Sequence, residues 1–212
     1  MRTSKAKNSD WGSRGDSDNR RDVILRGLNS VLREHSGPQS FRMQDLAEHL
    51  GVVKGNLYYY FKSKQDLMYH CRIKCLQQSL EALARVQASA APASEKLHQL
   101  IRDHILVLTE GQYSAVLLLD MGNISAARRR KYVGLRDEFE AGMRRLIEEG
   151  IAAGEFPKRD VRMASFAILG SINWIPKWYR ADGPSSAPDI AEYQADFFVG
   201  ALRAPKSLSA RQ

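Results

Sequence analysis

The chain has 212 residues, with 32 Lys and Arg against 24 Asp and Glu, which gives a net charge of +8 and a pI near 9.6. This length is sufficient for one large or two small domains with a buried core. Because no apolar run has the length of a membrane span and no signal peptide is recognisable, we expect a cytoplasmic protein with no membrane contact.

The positive charge is concentrated in the first part of the chain. Residues 1–75 carry 14 Lys and Arg against 8 Asp and Glu, a net charge of +6, whereas residues 76–212 carry 18 against 16, a net charge of +2. Counterion release favours concentrated positive charge at a phosphate surface. The asymmetry therefore indicates a DNA-binding head on a body that binds something else.

The N-terminal residues 1–18 are polar and rich in Gly and Ser, and Trp11 is their only large apolar side chain. They predict a disordered arm, for which a mobile tail is favoured over a DNA contact. The first helix is predicted from Arg20 to His35, because one stripe of it carries Val23, Ile24, Leu28, Val31 and Leu32. Such a helix would brace the elements that follow it.

The stretch from residue 41 to 61, FRMQDLAEHLGVVKGNLYYYF, holds two short helical patterns around a turn. Gly51 marks the turn, because glycine tolerates the positive φ that ends a helix. A second short helix follows it, with Leu57 and Tyr60 or Phe61 facing inward. The first pattern predicts a supporting helix whose apolar face consists of Met43, Leu46, Ala47 and Leu50.

The outer face of the second helix has an unusual chemistry. Aromatic hydroxyls, an amide and an ammonium pack poorly, but they bind phosphates and base edges well. A glycine among them leaves room for close approach to a duplex. We therefore predict a helix-turn-helix whose second helix enters the DNA major groove, the alternative being an ordinary helical hairpin with surface tyrosines. The outward residues are Lys54, Gly55, Asn56, Tyr58 and Tyr59.

The next helix opens with a capping pattern and runs to about Gln87. Ser63 stands three residues before Asp66, as in a capping box. Lys62 and Lys64 stand at the same helix N-terminus, where free backbone N–H groups and ammonium groups together bind phosphate.

Residues 52–67, VVKGNLYYYFKSKQDL, closely resemble the DNA-binding signature of the TetR family of transcriptional repressors, GVSxGxLYxHFxSKExL. Two positions depart from the family pattern. Val53 replaces the serine that usually caps the recognition helix, and Arg42 replaces the Ser or Thr that usually caps the supporting helix. Arg42 is long enough to reach a phosphate instead.

The resemblance implies an all-α protein with an N-terminal three-helix, homeodomain-like helix-turn-helix domain and a C-terminal helical effector-binding and dimerisation domain. On this basis the chain divides into an arm (1–18), a DNA-binding domain (19–65), a body (66–204) and a tail (205–212). The implied function is that of a homodimeric repressor that a small-molecule effector releases from a palindromic operator. The expected DNA-binding residues are Arg42, Gln44, Val53, Lys54, Gly55, Asn56, Tyr58, Tyr59 and Lys64.

Helical patterns continue through the body. The segment from Asp160 to Tyr179 is apolar on more than one face, as expected for a helix between its own subunit and a second one. Together with the last pattern it predicts a dimer made as a four-helix bundle, and the resemblance implies the same. The remaining patterns are Ser94 to Leu108, Tyr113 to Leu119, Ala126 to Ala153, and a last stripe of Ile190, Tyr193, Phe197, Phe198 and Leu202.

The segment NWIPKWYR, from residue 173 to 180, bears on the effector. Trp174 and Trp178 share one helix face, and core of the dimer interface is one interpretation of them. The other rests on resemblance, because NWxxxWY followed by a DG turn looks like a branch of TetR-type regulators that sense acyl-coenzyme A thioesters. In that case the tryptophans line the acyl site, while Lys177, Arg180 and Arg128 bind the phosphates.

No nucleophile elbow, phosphate-binding glycine loop or metal-ligand cluster is recognisable, so we expect neither an enzyme nor a cofactor. Cys71 and Cys75 are predicted to be buried thiols, with redox sensing or metal binding as the alternative. His98 and His104 lack a carboxylate at ligand spacing and are predicted to be packing or surface residues. Two other functions stay open: an efflux repressor that responds to a lipophilic drug-like ligand, and a nonspecific architectural DNA-binding protein.

Overall fold

The computed structural model describes residues 17–34, 41–110, 114 and 124–204. Within them the chain forms eight helices and no strand, so the all-α prediction is confirmed. The predicted helix from Tyr113 to Leu119, apart from residue 114, and the tail lie outside the described residues. The helices are α1 (Ser17–Glu34), α2 (Met43–His49), α3 (Lys54–Tyr60), α4 (Lys64–Ala88), α5 (Ala93–Thr109), α6 (Ala126–Ala152), α7 (Val161–Trp178) and α8 (Ala187–Arg203).

The chain divides into two compact units, and the division falls inside α4. The N-terminal unit comprises Met1–Cys75 with Gln112–Ser125, and the C-terminal unit comprises Leu76–Gly111 with Ala126–Gln212. The sequence placed a boundary ten residues earlier, before residue 66, close to the end of the helix-turn-helix signature. Because α4 is one continuous helix, no turn residue marks the place where its packing partners change.

The N-terminal unit is built around the helix-turn-helix. α1 packs against α2, and α2 packs against α3. Ser17 begins α1, so the last two residues of the predicted arm are helical; residues 1–16 lie outside the described part of the chain. The apolar faces that the sequence predicts meet in one core, whose fully buried members include Ile24, Leu28, Phe41, Leu46, Leu57, Phe61 and Leu67.

In the C-terminal unit, α5 is the central helix and contacts α6, α7 and α8. Its inward stripe agrees with the sequence: Leu97, Leu100, Ile101, His104 and Ile105 are all buried. On α6, the residues Phe139, Met143, Leu146 and Ile147 are buried as predicted, whereas Tyr132 and Leu135 are only half-buried.

The start of α5 is capped from another part of the unit. After α6 ends, Gly154 takes a φ of +75° and turns the chain back. The Glu155 carboxylate then accepts hydrogen bonds from the backbone N–H groups of Ala93 (3.0 Å) and Ser94 (2.9 Å), the first two residues of α5. Helix N-terminal N–H groups have no partner within the helix, so this carboxylate acts as a cap.

The apolar side chains of α8 do not form the single buried stripe that the sequence predicts. On α8, Ile190 and Leu202 are buried, but Tyr193 and Phe197 are exposed. The predicted stripe is therefore two adjacent faces, one of which packs within the unit. None of the helices in the described part of the chain has both the length and the apolar composition needed to cross a bilayer.

Candidate DNA-binding surface and effector site

The turn between α2 and α3 has the geometry that the sequence predicts. Gly51 has a φ of +67°, a conformation in which a side chain would be strained. The backbone N–H of Val52 donates to the carbonyl of Ala47 (2.9 Å), which closes the turn directly after α2. Leu57 is fully buried and anchors α3 on the core, with Phe61 buried just after the helix ends.

The outer face of α3 is open. Tyr59 is 81% exposed and Tyr58 44% exposed. Lys54 is also exposed, and its ammonium lies 5.9 Å from the centre of the Tyr58 ring. Gly55 has open space around it, and Asn56 is half-buried. An ammonium, an amide and two phenol hydroxyls therefore share the free surface of one short helix.

The N-terminal ends of the two helices lack hydroxyl caps, in line with the two departures from the family pattern. Val53 precedes α3, is exposed and provides no side-chain cap. Arg42 precedes α2, and its backbone N–H donates to the Asp45 carboxylate (2.6 Å). The exposed Arg42 guanidinium also pairs with that carboxylate (3.2 Å). Gln44, exposed on α2, donates to Glu48 (2.9 Å).

The start of α4 is capped as predicted. The Ser63 hydroxyl accepts a hydrogen bond from the Asp66 N–H (3.1 Å), and the Asp66 carboxylate accepts one from the Lys62 N–H (2.8 Å). Lys64 is different, because its Nζ donates to the carbonyl oxygen of Phe41 (2.7 Å) within the same unit. Burial lowers the pKa of Lys64, and the nearby Asp45 carboxylate partly offsets this.

Comparison with known families decides what this arrangement belongs to. Residues 31–71 match the profile of bacterial regulatory proteins of the tetR family, and residues 90–202 match that of the tetracyclin repressor-like C-terminal domain. The chain belongs to the TetR family of transcriptional regulators. A profile of the family thus matches residues in each of the two units of this TetR protein, and it is a TetR-type transcriptional repressor.

Individual relatives agree with this assignment. The repressor KstR2 of Mycolicibacterium smegmatis is 24% identical over 187 residues, covering 86% of this chain and 90% of that protein. The TetR family regulator PfmR from Thermus thermophilus is 30% identical with a TM-score of 0.74, covering 88% of this chain and 99% of that one. AibR in complex with isovaleryl coenzyme A and operator DNA shares the fold, with a TM-score of 0.70 at 24% identity over 88% of this chain and 99% of that one.

The residues proposed from sequence for the effector lie at the C-terminal end of α7, apart from Arg128. Trp174 is 63% exposed and Trp178 47% exposed, and Lys177 and Arg180 are not buried either. The buried face of α7 consists instead of Ser165, Ile168, Ile172 and Ile175. Arg128 is half-buried in the first turn of α6. Both tryptophans are therefore accessible on the surface of a single protomer.

The C-terminal unit encloses a polar side chain, His104. The His104 ring on α5 is fully enclosed, its Nδ1 lies 2.9 Å from the hydroxyl oxygen of Ser79 on α4, and the Asn173 side chain hydrogen-bonds to it. The Phe139 ring centre lies 4.4 Å from the His104 ring centre. Burial lowers the pKa of His104 to about 4, so the ring is neutral at pH 7. Of the two roles that the sequence left open for His104, packing or surface, the structure shows the packing one.

His98 has carboxylate partners that its spacing in the sequence does not show. Its Nε2 lies 3.0 Å from an oxygen of Asp196 and 3.6 Å from an oxygen of Glu192, both on α8. The three ligand atoms are close enough to hold a metal ion, but Arg102 also pairs with Glu192 (2.6 Å), as in a surface ion-pair cluster. These partners come from a helix about ninety residues later, which sequence spacing does not reveal.

The two cysteines agree with the simpler interpretation. Cys71 and Cys75 are buried thiols that form no disulfide, and burial raises the pKa of Cys75 to about 12 and that of Cys71 further still. Both thiols are therefore protonated at neutral pH, whereas redox chemistry and metal binding need the thiolate.

Proposed function

We propose that this repressor binds a palindromic operator as a homodimer, with α3 of each protomer in a major groove. The observation that carries the proposal is the solvent-exposed face of α3, which carries hydrogen-bonding side chains. Leu57, on the opposite face of the helix, packs into the core and holds α3 in place. Such side chains reach phosphates and base edges when a recognition helix enters the groove. The proposed DNA-binding residues are Arg42, Gln44, Val53, Lys54, Gly55, Asn56, Tyr58 and Tyr59.

The dimer is proposed to form through α7 and α8. Their outward faces carry large apolar side chains that the protomer does not cover, including Phe166, Trp174, Tyr193 and Phe197. An exposed apolar patch of this kind, on two helices that contact each other, fits a self-complementary helical interface. Binding to successive major grooves then requires the two copies of α3 to lie about one helical turn of DNA apart, near 34–36 Å.

Two variants of α3 test the DNA-binding part. Lys54→Ala and Tyr58→Ala are each expected to weaken operator binding about tenfold, because a good contact to DNA contributes about 1–3 kcal/mol. Both should leave the dimer mass unchanged, since neither residue lies on α7 or α8. Lys158, which is in the C-terminal unit, supplies Lys158→Ala as the matched control.

The operator for this test is selected from random duplexes with the purified protein, and affinities are measured by mobility shift at fixed salt. A repressor prefers the selected inverted repeat by several kcal/mol over random DNA. Equal affinity for the selected and the random duplexes would instead indicate an architectural DNA-binding protein. Unchanged operator affinity in both variants would contradict the assignment of α3.

The effector is proposed to be an acyl-coenzyme A thioester. AibR, which shares this fold, binds isovaleryl coenzyme A and operator DNA. In this chain, Trp174 and Trp178 offer apolar surface for an acyl group, and Lys177, Arg180 and Arg128 offer cations for phosphates. Binding would favour a state with a different spacing of the two α3 helices, and repression would end through this shift in population.

Ligand titration of the operator complex tests the effector class. Isovaleryl coenzyme A is expected to release DNA, whereas free coenzyme A and free isovalerate are not. Release by a lipophilic cation but not by thioesters would favour a drug-responsive repressor.

Trp178→Ala separates the two roles proposed for the tryptophans. If the variant stays dimeric but needs a higher effector concentration for half-release of DNA, Trp178 contacts the effector. If the dimer dissociates, Trp178 belongs to the dimer interface.

A further inference from the structure

Lys64, at the first position of α4, stands where a phosphate-binding lysine is expected, but the structure gives it another partner. Its Nζ donates to the carbonyl oxygen of Phe41 (2.7 Å) and lies 4.2 Å from the centre of the Phe41 ring. Phe41 is 1% exposed and precedes α2 by two residues. The ammonium therefore joins the start of α4 to the entrance of α2.

Arg21, on α1, makes an equivalent contact at the other end of the helix-turn-helix. Its guanidinium donates to the carbonyl oxygen of Tyr60 (3.2 Å), the last residue of α3. The central carbon of this guanidinium lies 5.8 Å from the centre of the Phe61 ring. Carbonyls in the last turn of a helix lack intrahelical partners and carry partial negative charge, so a cation is well placed there.

These two contacts matter because α2 and α3 are each only 7 residues long. Helices of two turns are not stable alone, so their orientation depends on tertiary contacts. Base readout needs side chains held within a fraction of an ångström, whereas nonspecific phosphate binding tolerates more movement.

We propose that Arg21 and Lys64 are positioning residues that form a cation brace, which fixes α2 and α3 for base readout without contributing a phosphate contact. The proposal rests on the proposed function, since it presumes that α3 reads DNA. Arg21 holds the C-terminal end of α3, and Lys64 holds the chain that enters α2. The cations that face phosphates are then others, such as Lys54.

Salt dependence separates a brace from a phosphate contact. Each phosphate contact adds about 0.9 to the slope of log Kobs against log salt, or about 1.8 for two protomers. Lys64→Met keeps the length and apolar body of the side chain but removes the charge and the donor. We expect at least roughly tenfold weaker operator binding with an unchanged slope, and less than about twofold weaker binding to a random duplex of equal length. Arg21→Met should behave in the same way.

Lys54→Met is the control for this measurement, because Lys54 is a proposed DNA contact and its loss should make the slope shallower. A slope that becomes shallower by about 1.8 in Lys64→Met, with operator and random affinities falling in parallel, would overturn the brace in favour of a phosphate clamp. Unchanged operator affinity would overturn it as well.

Hydrogen exchange of the DNA-free protein tests the brace independently of any operator. Amides of α2 and α3 should exchange at least about fivefold faster in Lys64→Met and Arg21→Met, and those of α5 should not change. Exchange equal to wild type in both variants would overturn the brace. If the wild-type protein prefers no duplex, the proposed DNA-reading function fails. If the wild-type protein prefers its operator and the two variants bind it equally well, only the brace fails.

Discussion

At the scale of single residues, surroundings decide what a side chain can do. His104 and His98 both stand on α5, yet one is enclosed with Ser79 while the other faces carboxylates on α8. Lys64 and Lys54 differ in the same way, since one ammonium is tied to a backbone carbonyl and the other is exposed. Residue type alone predicts a charge, but the neighbours decide whether that charge is available.

The buried imidazole of His104 should make stability depend on pH. Its pKa is about 4 in the folded protein and about 6.5 when unfolded, so the unfolded state binds more protons between these values. The free energy of unfolding should therefore fall as pH drops from 7 to 4, by roughly 3 kcal/mol from this group.

Urea unfolding of wild type and His104→Gln at pH 7 and pH 4, at one protomer concentration, measures this contribution. The stability advantage of wild type over the variant should shrink at the lower pH. An advantage that does not change between the two pH values would contradict the prediction.

At the scale of elements, the ends of helices are defined by partners that come from elsewhere. α4 begins with its own Ser63 and Asp66, and the sequence shows this directly. α5 begins after Pro92 and has no side-chain cap of its own, because Glu155 takes that role from about sixty residues away. A local pattern therefore predicts the first cap and not the second.

Loss of the Glu155 carboxylate should destabilise α5. Its hydrogen bonds from Ser94, together with that from Ala93, lower the pKa of Glu155, so its contribution is present at neutral pH and lost as pH falls through the folded pKa. Glu155→Ala should cost about 1 kcal/mol at pH 7, in the range of N-cap deletions. Urea unfolding at pH 7 and pH 3 measures the free energy of unfolding. The difference in this free energy between wild type and Glu155→Ala should be smaller at pH 3 than at pH 7.

Glu149→Ala is the matched control, since Glu149 is an exposed carboxylate on α6. It should change stability by less than half of the Glu155→Ala effect at pH 7. An equal effect of the two substitutions would mean that Glu155 contributes only a general surface charge.

At the scale of the whole molecule, the uncovered apolar faces of α7 and α8 are the feature that a protomer alone does not explain. Both helices bury one face within the C-terminal unit and expose large side chains on another. A second copy of the chain is the occupant proposed for these faces, because operator reading by two α3 helices needs a twofold assembly.

A charge placed in this face should separate the protomers. Phe197→Asp is expected to raise the dimer dissociation constant at least about 100-fold, because an unpaired carboxylate would lose hydration in an apolar interface. Sedimentation velocity over a range of protein concentrations measures the shift. Val133→Asp changes an exposed apolar residue of α6 as the control, and an unaffected dimer in Phe197→Asp would argue against this face.

Sequence alone determined the class of this protein, because its strongest signals are local. Helical periodicity, the Gly51 turn and the capping pattern at Ser63 each depend on residues a few positions apart, and so does the outward face of α3. The tertiary structure decided which partners distant residues meet: Lys64 with Phe41, Arg21 with Tyr60, Glu155 with α5, and His98 with α8. These contacts join segments whose separation along the chain carries no periodic signal, so only the packed fold reveals them.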